Sequence, residues 1–134
     1  MPKTFEVTVQ IKCDGRMLPG FPLTRRQVVD GYQDVQQEHA DDAAQTDLAT
    51  DYVVPYNVNS MTNPVVLFVT ADGVLRVSSR AGDAQGNFPI VLDANGFLLA
   101  VGLESTDASN GSFTTCNNTG ATILERAIVA GNNT

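Results

Sequence analysis

The chain has 134 residues, of which 43% are hydrophobic and 17% charged, and its formal net charge at neutral pH is −7. A chain of this length forms one domain and can bury roughly two-thirds of the surface that its unfolded form exposes, and this apolar share is too high for disorder. The eight Lys and Arg residues form no dense run and the pI is near 4.4, which argues against nucleic acid and against an anionic membrane surface as partners.

The longest apolar run, 64–69, falls far short of the roughly twenty residues a spanning helix needs. The N-terminus MPKTFEVTVQIK alternates, where a secretory leader would place a basic start and an apolar block. Nothing in the spacing of Cys13 and Cys116 demands a bridge, and two buried thiols are the expected reading. Sequons at Asn110, Asn117 and Asn132 are read as chance in a chain rich in Asn and Thr.

In chain order, FEVTVQIK sets Phe5, Val7, Val9 and Ile11 on one face and Glu6, Thr8, Gln10 and Lys12 on the other, which predicts a half-buried strand. It ends at Asp14-Gly15, and the same kind of dipeptide recurs at Asp30-Gly31, Asp72-Gly73, Asn95-Gly96 and Asn110-Gly111. A two-residue hairpin loop of type I′ needs positive φ at both central residues, which Asn and Asp tolerate and Gly adopts freely. Asp72, between VVLFVTA and VLRVSS, is therefore read as a turn residue and not as a catalytic acid.

The stretch 24–40 has two readings. Thr24 and Gln27 have capping-box spacing, and Val28, Tyr32, Val35 and His39 fall near one helical face. Alternatively Asp30-Gly31 turns a hairpin between two strands, and agreement with the rest of the chain favours strands. VTADGVLRV and LDANGFLLAV repeat one pattern, an apolar run, Ala-Asx-Gly and a second apolar run, and are expected to be two similar hairpins whose strands are covered on both faces. RAGDAQGNFP reads as a polar loop, and a short strand is expected around Phe113 to Cys116. The closing ATILERAIVAGNN fits a helical face or a final strand, and its β-branched content favours strand. The fold expected is all-β, an antiparallel sandwich or a jelly-roll-like barrel with Asx-Gly hairpins, the alternative at 24–40 being one short helix. Residues 1–134 form a single domain in which 1–45 can serve as an N-terminal extension or arm against neighbouring subunits.

Candidate chemistry is sparse. His39 is followed by Asp41 and Asp42, but one imidazole and two adjacent acids make a poor metal site, and a solvated acidic loop is the expected reading. No Ser or Cys has a base in a nucleophilic motif, and GDAQGN lacks the Lys of a phosphate loop. No catalytic residue, cofactor or metal is therefore assigned. Tyr52 and Tyr56 flank VVP and are read first as packing aromatics and second as a stacking platform for sugar.

From Asp51 onward, DYVVPYNVNSMTNPVVLFVTADGVLRVS, GNFPIVLDANGFLLAVG, SFTTCNNTGAT and RAIVAGNN together resemble a pattern found in small virion proteins of tailed bacteriophages. The resemblance lies in an opening VPY strand, an apolar strand, a polar turn, a Pro-aliphatic strand, a Thr and Asn strand, and a last aliphatic strand ending near Gly. It implies a non-enzymatic β-sandwich of the virion, assembled in the host cytoplasm, that decorates or cements the capsid. Its partners would be the major capsid protein or other virion proteins and further copies of itself, with no nucleic acid or membrane. The interface residues expected are Phe5, Val7, Val9, Ile11, Tyr52, Tyr56, Leu67 and Phe68. The alternative function is a carbohydrate- or receptor-binding module of a tail or neck, with its site near Tyr52, Tyr56 or the loops 82–87 and 105–112.

Overall fold

The computed structural model describes residues 2–41, 63–78, 90–102 and 114–132. Among these residues every regular element is a strand: β1 (Lys3–Val9), β2 (Lys12–Cys13), β3 (Arg16–Met17), β4 (Leu23–Val29), β5 (Gly31–His39), β6 (Asn63–Ala71), β7 (Leu75–Ser78), β8 (Ile90–Leu92), β9 (Phe97–Val101), β10 (Thr114–Cys116) and β11 (Ile123–Asn132). They make a four-stranded sheet in the order β5-β11-β6-β9, a three-stranded sheet β10-β7-β8, and the two-stranded ribbons β1-β4 and β2-β3. All of these pairings are antiparallel.

The two larger sheets face each other as an open sandwich and not as a closed barrel. Strand β11 shows why: Ile123, Ala127 and Val129 are buried while Leu124 and Arg126 are exposed, the period of two that a half-covered strand requires. Its inward residues join Leu67, Val69 and Ala71 of β6 and Leu75 and Val77 of β7 in one core, with Val35, Ile90, Leu92, Leu98 and Ala100 packed around it. Fully burying a Val, Leu or Ile side chain contributes about 1.5–3 kcal/mol, so this cluster supplies the main stabilisation. On the other face of the larger sheet, at one end, Val29, Val65, Val66 and Ala130 form a second small core under Phe5, Val7 and Val101. A register shift between Ala130 and Gly131 bends β11 against β6 at that end.

The helix considered for 24–40 does not form; the stretch is β4 and β5, separated by Asp30 alone. Nor is Asp30-Gly31 a hairpin. Asp30 N–H donates to the Gly131 carbonyl at 3.0 Å and the chain continues from pairing with β1 to pairing with β11. The spacing that suggested a helix joins residues of opposite strand faces: Val28 and Tyr32 are exposed, whereas Val35 packs on the main core and His39 is buried.

The two echoed segments are not hairpins either. β6 lies in the four-stranded sheet and β7 in the three-stranded one, while β8 and β9 are divided in the reverse sense. Asp72-Gly73 and Asn95-Gly96 are therefore corners that carry the chain between layers. They stack: β7 pairs with β8, β6 with β9, the Asn95 N–H donates to the Ala71 carbonyl at 2.9 Å, and the Thr70 hydroxyl donates to the Gly96 carbonyl at 2.6 Å. Of the described dipeptides, only Asp14-Gly15 has positive φ at both residues, 51° and 78°, and it closes the β2-β3 ribbon as a type I′ turn does. Asn110-Gly111 lies outside the described residues.

The Asp72 corner is tied to β11 twice, by its own N–H to the Leu124 carbonyl and by its carboxylate accepting the Leu124 N–H at 2.8 Å. Gly73 is required beside it, because an added Cβ would collide with Ile123 Cγ2. Asp72→Asn keeps an acceptor in place and is expected to be nearly silent in urea unfolding, whereas Asp72→Ala loses about 1 kcal/mol. Gly73→Ala should cost about 1–3 kcal/mol by overpacking, with an unchanged denaturant slope.

Candidate functional site

Residues 3–29 form a hairpin arm whose base is seated and whose tip is not. Along β1 the burial alternates, with Phe5, Val7 and Val9 half-buried toward the sandwich and Thr4, Glu6 and Thr8 outward. The outward face is held by cross-strand pairs at matching register, Arg26 to Glu6 at 2.8 Å and Thr8 to Thr24 at 3.0 Å. On the inward face the Arg25 guanidinium lies over Gly102. Past Val9, every residue from Gln10 to Gly20 is exposed. Five large apolar side chains of the arm meet solvent, Ile11 (45% exposed), Met17, Leu18 and Leu23 (58%) toward its tip and Val28 (62%) near its base. A two-stranded ribbon by itself is marginal in water, and apolar residues exposed together mark a contact surface.

The arm is also where the cations are. Lys3, Lys12, Arg16, Arg25 and Arg26 stand against Glu6 and Asp14, a net of +3 within a chain of net −7. A shallow depression of about 440 Å³ runs between the base of the arm and β5, lined by Lys3, Phe5, Tyr32, Asp34 and Ile128. Phe5 and Tyr32 meet edge to face there, with ring centroids 5.2 Å apart.

The outer face of the four-stranded sheet continues beyond the arm as a partly apolar surface. Phe68 and Phe97 have ring centroids 5.9 Å apart, and Phe97 and Leu124 are 63% and 42% exposed. Between them Arg126 makes a two-pronged contact with Asp34, at 3.1 and 2.9 Å. The Arg126 hydrogen bond holds the Asp34 carboxyl below its ordinary pKa, so this pair contributes above the usual carboxylate range and is lost as pH falls through the lowered value. Both groups are exposed, which keeps the contribution small.

Inside the sandwich lies a polar cluster. Glu125 occupies the inward face of β11 between Ile123 and Ala127 and has no exposed surface; His39, the last residue of β5, is 7% exposed, and its Nδ1 is 3.3 Å from Glu125 Oε1. A buried carboxyl requires a partner within hydrogen-bonding reach, and the imidazole supplies it. Asn117, also buried, donates from Nδ2 to the carbonyls of His39 (2.8 Å) and Ala121 (2.7 Å), while its Oδ1 accepts from Thr119 N–H at 3.0 Å. The Gly120 N–H donates to the Asp41 carboxylate at 3.0 Å. These contacts fasten the 117–121 turn to the end of β5 and close the pair off from solvent. The cluster ties the 117–121 turn, which follows β10 of the smaller sheet, to β5 and β11 of the larger one.

His39 is thus not part of a solvated acidic loop: it is the last residue of β5, and its ring is buried on the inward face. Asn117 is a buried structural residue and not a surface acceptor for glycan. The cysteines do not pair, and only Cys116 is buried; Cys13 is exposed on the arm. Among the described residues no group of three or more His, Cys, Asp and Glu side chains could hold a metal.

Of the interface residues expected from sequence, Phe5, Val7 and Val9 form the seated base of the arm, and Ile11 is exposed toward its tip. Phe68 lies half-buried on the outer face, and Leu67 points into the main core. Tyr52, Tyr56 and the loops 82–87 and 105–112 lie outside the described residues. Sequence reasoning missed Glu125, although the alternation of Ile123, Glu125, Ala127 and Val129 places it on an apolar face. It also missed Phe97 and Leu124, which look like core residues in any window.

Two substitutions test the interior. Glu125→Ala leaves the buried imidazole without its partner and should cost about 3–5 kcal/mol, while Glu125→Gln, which keeps shape and an acceptor, should cost less; chemical denaturation separates them. Thr115 Oγ1 is buried without a hydrogen-bond partner on the inward side beside Val77. Thr115→Val removes that hydroxyl and should raise the urea midpoint, by up to about 1–3 kcal/mol in stability.

Comparison with protein-family models, with curated proteins and with solved structures gives no match to the chain.

Proposed function

We propose that the protein is a non-enzymatic structural subunit of a bacteriophage particle, decorating or cementing the capsid through protein contacts. The observation that carries the assembly reading is the hairpin arm, cationic and apolar at once, whose tip is exposed while its base is seated on the sandwich. A folded chain that keeps Ile11, Met17, Leu18 and Leu23 in water gains by placing them against another protein. The choice of a virion as the setting rests on the resemblance of the segments from Asp51 onward.

A second reading, a carbohydrate- or receptor-binding module, draws support from the depression at the base of the arm, where the Tyr32 ring is half exposed beside Phe5 and Asp34. Aromatic rings flanked by a carboxylate are suited to sugar rings, and binding to a glycan array, lost in Tyr32→Ala, is the result this reading requires.

The particle reading is tested by immunogold labelling of purified virions with antibody against this chain. Labelling spread over the head is the expected result. Labelling confined to a tail or vertex would move the proposal to a connector or receptor reader, and no labelling of any particle would end it.

A further inference from the structure

We infer that the arm of one copy docks on the outer face of the four-stranded sheet of a second copy, a head-to-tail contact between two different surfaces of the same chain. The inference rests on the assembly reading and names one partner for it.

Charge is the first argument. The exposed tip, residues 10–20, carries Lys12 and Arg16 against Asp14, while the receiving face carries Glu38, Asp72 and Asp93 beside an Asp34–Arg126 pair that offsets itself. A second copy therefore offers the arm an oppositely charged surface, and arm-to-arm contact is disfavoured. Complementarity of this kind steers encounter and fixes orientation more than it supplies affinity.

Affinity needs apolar area, and the two surfaces match in that respect as well. On the sheet, Phe97 and Leu124 are exposed and Phe68 is half-buried beside Phe97. Carboxylates rim them: Glu38 is the register partner of Leu124, Asp72 accepts the Leu124 N–H, and Asp93 stands at the corner before Phe97. The cation on this face, Arg126, is already met by Asp34. On the arm the order is the same with the sign reversed, Ile11, Met17, Leu18 and Leu23 interleaved with Lys12 and Arg16. Each copy has one arm to give and one face to receive, so the contact closes as a reciprocal pair about a two-fold axis or as a ring, or extends as a filament.

Sedimentation of the full chain over a concentration series tests this, with Arg16→Glu as the arm variant and Phe97→Lys as the face variant. Both positions are exposed and outside the cores, and an unchanged far-ultraviolet circular dichroism spectrum confirms the fold. The native chain should self-associate, with an association constant that falls about tenfold or more on going from low to high salt. Each variant alone should be monomeric. Mixed in equal amounts, they should form a one-to-one pair and nothing larger, because the mixture holds one good arm and one good face. A native chain that is monomeric at low salt up to its solubility limit overturns the inference, as does association that neither variant weakens. Either outcome alongside labelled particles would leave the assembly reading standing with the arm seated on another protein; self-association with no labelled particle would leave this contact and remove the virion.

Discussion

The fold depends on the burial of one strand. β11 is hydrogen-bonded to β5 on one edge and to β6 on the other along nearly all of its ten residues, and one of its faces is wholly enclosed. Enclosing that face brings Glu125 into the interior, and a buried carboxyl has to be met by a partner or it destabilises the fold. His39 meets it, which requires β5 to end beside Ile123. Asn117 then clamps the His39 carbonyl and draws the 117–121 turn over the end of the sandwich. Register, layer closure and the lining of that end thus follow from a single polar position in an otherwise apolar stripe.

With the interior filled in this way, the proposed contact surfaces lie outside the sandwich. The interior residues are occupied with one another, and the second small core does no more than seat the base of the arm through Phe5, Val7 and Val29. Among the described residues, the exposed apolar surface lies mainly at the tip of the arm and on the outer face of the larger sheet. One is basic and the other acid-rimmed, and both are apolar at the centre. Two unlike surfaces of this kind on one fold are what the proposed assembly subunit requires, and the proposed place in a particle is one application of it.

The sequence made the strands legible where burial is one-sided. Phe5, Val7 and Val9 alternate with polar residues in the chain and do so in the structure, and β11 was readable once its β-branched content was weighed. The type I′ turn at Asp14-Gly15 was legible because its chemistry is local. The corners at Asp72-Gly73 and Asn95-Gly96 were read as hairpins because a reversal of chain direction looks the same in sequence whether the next strand joins the same sheet or the facing one. That choice is made by distant partners, β11 and β10, through contacts such as Leu124 with Asp72 and Thr115 with Val77. The arm illustrates the same limit: its alternation was visible, while the exposure of its tip depends on where the sandwich ends.

The central claim is that the arm tip is unoccupied in the single chain and covered in the assembled state. Amide hydrogen exchange compared between dilute and concentrated samples tests it most directly. The account predicts slow exchange throughout β11 in both samples, with fast exchange over residues 10–20 when dilute that slows when concentrated, together with residues 97–99 of the receiving face. Residues 10–20 that are already protected in the dilute chain, or whose exchange is the same at every concentration, would contradict it.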